Sequence, residues 1–135
     1  MTSRDEIEKL LRGAYVARQR GDLEAICGMF APDVHFEMAG AQESPTTARV
    51  HGHDEFRPLI KRMIDTFEMR DHSVLAVLVD GDRAAVHWQA TFRSSITGET
   101  VKTNLVDLVE IENGKIKSFL EFCDTALAER LLKQP

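Results

Sequence analysis

The chain has 135 residues, 43% of them apolar, and a formal net charge of -5. That length fits one compact domain over 1–135, with enough apolar material for a core without staples. Lys and Arg are interleaved with acids, which excludes the basic stripe of a nucleic-acid binder and offers no cationic face to an anionic membrane; no apolar run reaches membrane-span length.

The opening "MTSRDEIEKLL" is charged and does not read as a secretory signal. Ser3 and Glu6 have capping-box spacing, and Ile7, Leu10, Leu11, Ala14, Tyr15 and Ala17 recur at helical intervals. Gly21 should end this helix, and Asp22 should cap a second with a Leu23, Ile26, Cys27 and Phe30 stripe. "APD" at 31–33 is expected to stop it. Residues 34–38, "VHFEM", alternate as a strand with Val34, Phe36 and Met38 on one face. The polar stretch 39–52 reads as a loop, and a third helix is expected from about Asp54, striped by Phe56, Leu59, Ile60, Met63, Ile64 and Phe67. Pro58 falls in or just past its first turn, where the cost is small. His51, His53 and Asp54 lie close together, but zinc sites converge three or four ligands. No metal or cofactor is therefore expected, and His53 or Asp54 is read as a helix cap.

The remainder is mostly strand. "HSVLAVLV" and "RAAVHWQATFR" flank the hairpin signal "DGD". In the second run Trp88, Ala90 and Phe92 share an apolar face opposite His87, Gln89, Thr91 and Arg93. A long strand follows from about Val101 to Ile111, then "ENGK", then "IKSFLEF". "TALAERLLK" should close the chain as a helix capped by Asp124 or Thr125. The order α-α-β-α-β-β-β-β-α predicts an α+β fold: a strongly curved antiparallel sheet with helices on one face. Cys27 and Cys123 are far apart and read as free thiols, so a cytoplasmic protein is expected.

Asp107 stands out. In "LVDLVEI" it shares a strand face with Leu105, Val109 and Ile111. A carboxylate among buried aliphatics is costly unless paired, hydrogen-bonded or protonated. It is either a structural group capped by a neighbouring hydroxyl or a functional acid.

The segments "AYVARQRGDLEAICGMFAPDVHFEM" (14–38), "GHDEF" (52–56), "LVDLVEIENGKI" (105–116) and "SFLEF" (118–122) resemble the nuclear transport factor 2-like superfamily, and most closely its SnoaL-like, ketosteroid isomerase-like branch. The resemblance implies a conical pocket of the cystatin-like α+β barrel type, holding a small, mostly apolar, oxygen-bearing molecule. It implies that Asp107 stays protonated and donates to the substrate oxygen, aided by Tyr15. The family's usual base position is Met38, which takes no proton, and Glu37 beside it should face the other way. Glu121 matches an acid found on the last strand in SnoaL-like relatives. Leu105 stands where epoxide hydrolases of the superfamily carry an Arg. Met38, Phe56, Ile60, Trp88, Phe92, Leu105 and Phe119 are the expected pocket wall.

Whether Asp107 and Glu121 share a face depends on the turn. A two-residue Asn113-Gly114 loop sets Asp107 opposite Leu120 and turns Glu121 away. A Glu112-Asn113-Gly114 turn with a glycine bulge sets Leu105 opposite Glu121, with both acids on one face. Two functions follow: proton-transfer chemistry of isomerase or cyclase type with Asp107 and Glu121, or a non-catalytic ligand-binding or scaffold domain. The resemblance also implies a homodimer through the outer sheet face, where Val106 and Leu108 point away from Asp107.

Overall fold

The computed structural model describes residues 3–133. Helix α1 (Arg4–Arg20) starts at Ser3, whose hydroxyl accepts from the Glu6 N–H at 3.2 Å and donates to the Glu6 carboxylate at 3.0 Å. It stops at Gly21, where a φ of 68° suits glycine. Asp22 caps α2 (Leu23–Met29) by accepting from the Ala25 N–H at 3.1 Å. Strand β1 (Phe30–Met38) follows without a loop. "APD" therefore does not separate helix from strand. It lies inside β1, where the register against its neighbour shifts between Phe30 and His35, and a shifted register tolerates Pro32's missing N–H.

The expected loop holds a short strand, β2 (Ala48–His51), antiparallel to β1. Four residues are too few for periodicity to reveal. Helix α3 (His53–Thr66) starts at Gly52, with no side-chain cap. His53 and Asp54 are thus not its cap: His53 Nε2 lies 3.1 and 3.0 Å from the Phe30 and Ala31 carbonyls, tying α3 to β1. Glu55 instead reaches back to accept from the His51 N–H at 2.8 Å. Pro58 sits in the second turn. Strands β3 (Phe67–Asp80), β4 (Arg83–Ser94), β5 (Thr100–Glu112) and β6 (Lys115–Phe122) form a meander, and Asp124 caps α4 (Thr125–Leu132).

The six strands run β2-β1-β6-β5-β4-β3 in one sheet. The sheet is mixed, not wholly antiparallel, because β1 pairs with β6 in parallel. The chain between those two strands spans α3 and four strands, ample for the crossover that parallel pairing needs. Register shifts in β1, β3 and β6 bend and twist it, and Asp71, φ 49°, sits at one shift in β3. The edge strands β2 and β3 do not pair, so the curl stays open. Inward side chains alternate along β4 (Val86, Trp88, Ala90) and β5 (Leu105, Asp107, Val109, Ile111), and all are buried. They share one core with Ile7 and Leu11 of α1 and with Phe56, Leu59 and Ile60 of α3. No helix among the described residues is long and apolar enough to cross a membrane.

Candidate functional site

The β5–β6 hairpin sets the site. Asn113 and Gly114 have φ of 53° and 74°, as a two-residue type I′ turn requires. Glu112 then faces Lys115, and Ile111 faces Ile116. An unbroken ladder would bring Leu120 opposite Asp107. The next pair, however, is Glu110 with Ser118, so Lys117 is an extra residue bulged out of β6. That single insertion brings Glu121 directly opposite Asp107. Each of the two geometries open from sequence is therefore half right. The turn is the two-residue one, yet the acids share a face because a bulge beyond the turn restores the phase.

Asp107 is 0% exposed. Its Oδ2 accepts from the Trp88 indole N–H at 2.7 Å and from the Tyr15 hydroxyl. Its Oδ1 is buried with no partner among the described residues. Burial, then the neighbouring Glu121, pushes its pKa well above the usual carboxylate value, outweighing the two donors that pull it down. Glu121 is 7% exposed. Burial raises its pKa too, while Arg18 and the hydrogen-bonding influence of Asp107 pull it back. Two donors already occupy Oδ2, so a proton held by Asp107 belongs on Oδ1. Burial and Asp107 hold the Tyr15 hydroxyl neutral throughout the working pH range.

These groups stand at a cavity of about 350 Å³ between the sheet, α1, α3 and α4, within the roughly 300–1,000 Å³ usual for small-molecule sites. Tyr15, Met38, Ile60, Trp88, Phe92, Leu105, Phe119 and Glu121 all line it. Asp107 and Phe56 do not. Phe56, in the first turn of α3, packs on the rings of Phe30 and Phe36 at 4.6 and 5.5 Å, inside the core. Asp107 lies behind the wall, and Tyr15, Trp88 and Glu121 line the cavity in front of it. Glu37 is turned away, as expected, and pairs with Arg49 at 3.2 Å. Met38 neighbours Glu121 across the β1–β6 pairing.

Two residues at the site escape a search for acids. Arg18 lines the cavity, and its Nη2 donates to the Phe67 and Met63 carbonyls at 2.7 and 3.3 Å, by the C-terminus of α3. Burial lowers its pKa to about 10, so it stays cationic at neutral pH. The sequence signal was present: Arg18 follows Ala14 by four and Tyr15 by three, on the inward face of α1. His72 stacks on Tyr15 at 4.4 Å and lies 4.9 Å from Trp88, so one ring braces both donors to Asp107. No sequence signal marked it, because the irregular β3 hides which face it takes. Both cysteines are free; Cys123 lines the cavity, where burial and nearby acids push its thiol up to about 11. Among the described residues no three His, Cys, Asp or Glu side chains gather as metal ligands.

The SnoaL-like domain family model matches residues 11–119, most of the chain. The chain belongs to the SnoaL-like domain family. Solved structures similar to this SnoaL-like chain include a nuclear transport factor 2-like protein from Burkholderia xenovorans, 22% identical, with a TM-score of 0.79 and coverage of 98% of this chain and 100% of that one. A Bacillus subtilis protein proposed to be an isomerase is 14% identical, with a TM-score of 0.85 and 99% of both chains covered. A Xanthomonas campestris protein proposed to be a polyketide cyclase is 20% identical, with a TM-score of 0.79 and coverage of 98% and 100%. At such identities the likeness shows the fold alone. A search of curated proteins gives no match.

Proposed function

We infer that this SnoaL-like domain binds a small, mostly apolar, oxygen-bearing molecule in its cavity and moves a proton on it, in isomerase- or cyclase-like chemistry. The carrying observation is the carboxyl pair: Glu121 at the cavity surface, backed by a fully buried Asp107. Two carboxyls this close do not both ionise cheaply, so the pair holds one proton readily and exchanges a second. Glu121 is the group that meets the ligand, as base when charged and as acid when protonated. Asp107 is a positioning residue, its carboxyl facing Glu121 across the β5–β6 ladder and its Oδ2 fixed by Tyr15 and Trp88. The isomerase and cyclase neighbours support a role of this class without naming the ligand.

Met38, at the family's usual base position, favours the second reading, a non-catalytic binding domain. Carbon-detected NMR titration separates the two. The proton-transfer reading expects at least one of Asp107 and Glu121 to titrate well above a free carboxyl. If both titrate as free acids, that reading fails.

The outer sheet face supports a homodimer. Leu78, Ala85, Leu108 and Leu120 form one row across four strands, beside the Val106–Phe122 pair. Leu78 is 70% exposed, and Leu108, Phe122 and Val106 are at least partly open. An apolar patch of this kind on a sheet's back marks an interaction surface.

A further inference from the structure

Part of the cavity wall comes from the loop between β1 and β2, where Pro45, Thr46 and Thr47 line it, and part from Leu127, Ala128 and Leu131 of α4. Both roots of the loop are fixed. The Ala39 N–H donates to the Glu121 carbonyl at 2.9 Å, and Ala48 pairs with Met38 at the end of the β1–β2 ladder. Between the roots, the loop bonds to itself. The Ser44 N–H donates to the Ala41 carbonyl at 2.9 Å, and the Thr47 N–H to the Ser44 carbonyl at 3.2 Å. The Thr47 hydroxyl donates to the Ala41 carbonyl at 2.7 Å, and the Ser44 and Thr46 hydroxyls lie 2.9 Å apart. Gly40 packs so closely that a Cβ there would stand 2.6 Å from Thr47 Oγ1. A loop with close ends, packed on its own side chains, is compact and holds its own shape.

Its attachment to the rest of the molecule is slight. Among the described residues, the one hydrogen bond from 40–47 to a group beyond the β1–β2 hairpin runs from the Ser44 hydroxyl to the Glu129 carboxylate of α4, at 3.4 Å. The helix on the other side of that contact is tied down. Ser94, 0% exposed, donates to the Leu131 carbonyl at 2.6 Å. Arg130 holds Glu99 through Nε and Nη2 at 3.2 and 2.9 Å, a two-point fork. Both ties grip the last turn of α4, and only Cys123 and Asp124 separate its first turn from β6. Of the two walls that meet at Ser44 and Glu129, the loop is the one with few bonds to break.

We propose that residues 40–47 are a flap, which swings as one piece about Gly40 and Ala48 to admit the ligand and latches on α4 through Ser44 and Glu129. The inference rests on the reading of the cavity as the ligand site. Closing the flap excludes water and strengthens electrostatic interactions at Glu121. The root at Ala39, bonded to the Glu121 backbone, sets the hinge beside the group that meets the ligand.

The test needs no identified ligand. Trp88 is the single tryptophan of the chain, lines the cavity and is 2% exposed. Quenching of its fluorescence lifetime by acrylamide therefore reports how often the cavity opens. Glu129→Ala removes the latch without touching the bonds inside the flap, and alanine suits a helix. It should raise the quenching rate constant roughly two- to tenfold, the effect of one hydrogen bond. Glu129→Gln keeps an acceptor and should stay near wild type. Glu99→Ala frees the Arg130 fork and leaves the latch, so it should also stay near wild type. Unchanged quenching in Glu129→Ala would overturn the flap. So would a rise in Glu99→Ala as large as that in Glu129→Ala, because α4 would then be the moving wall. The carboxyl titration is a separate readout. A raised pair with unchanged quenching sinks only the flap, and a latch effect with free-acid titration sinks only the proton-transfer reading.

Discussion

Replacing Asp107 by Asn and by Leu separates what its charge does from what its oxygen does. Oδ2 accepts from both Trp88 and Tyr15 inside the core. Leu removes the acceptor and strands two buried donors, each at a cost of about 1–3 kcal/mol, so about 2–6 kcal/mol in all. Against a typical total of about 5–15 kcal/mol that is a severe loss. Asn keeps an acceptor oxygen of the same shape and should stay within about 1 kcal/mol of wild type. The pH dependence then isolates the charge. Asp107 is held protonated in the fold, above its ordinary value of 3.8. Its contribution is complete below that value and is lost as pH rises toward the raised native pKa, by about 1.36 kcal/mol per unit of elevation. Asn has nothing to titrate. Urea unfolding at about pH 4 and about pH 8 should therefore show wild type losing ground to Asp107→Asn as pH rises. Asp107→Asn also changes the titration of Glu121, so the difference reports the pair. An Asn cost equal to that of Leu, or a wild-type-to-Asn difference flat with pH, would refute this role of Asp107.

Tyr15→Phe removes a donor that holds Asp107 down, so the Asp107 carboxyl should titrate still higher by NMR, with a stability loss of about 1 kcal/mol. His72→Phe keeps a ring against Tyr15 and Trp88 and removes an unpartnered buried nitrogen, so stability by urea melt should be unchanged or higher by about 1–2 kcal/mol. Burial, then Arg12, favours neutral His72, so the unfolded chain takes the proton first; wild type should lose further ground to His72→Phe as pH falls through 6.5. Leu108→Lys puts a charge in the middle of the outer apolar row and should convert a dimer to monomer by size-exclusion with light scattering; an unchanged dimer mass would place the interface elsewhere.

Long, strongly periodic segments were legible in the sequence. The α1 stripe, the α3 stripe and the β4 alternation all follow from residue spacing, because each buries one face against one core. What was not legible depends on single residues. Strand β2 has only four and gains its identity from β1. Pro32 read as a stop because a proline in a strand is tolerated only where the register shifts, and no local pattern announces that shift. Lys117 is an ordinary residue in an ordinary strand sequence, yet its bulge decides which way Glu121 points. The anomaly of Asp107 was visible as an acid on an apolar face, while its depth behind the cavity wall was not, since depth is set by Trp88 and Tyr15 from other elements.

The apparent loss of a base at Met38 takes a different form once the sheet order is known. Met38 and Glu121 are register partners on adjacent strands, which lie about 4.8 Å apart. Both side chains face the cavity. A carboxyl missing from the end of β1 is thus present one strand over, at the same level of the cone. The move has a consequence that Met38 alone does not predict. An acid on β6 lies across from β5 and so meets Asp107 directly, whereas an acid on β1 would be separated from it by a whole strand. The proton-bearing groups become a contiguous set: Tyr15 and Trp88 on Asp107, Asp107 against Glu121, and Glu121 at the cavity beside Arg18. In the proposed function Asp107 makes no contact with the ligand and sets the proton affinity of Glu121, which does.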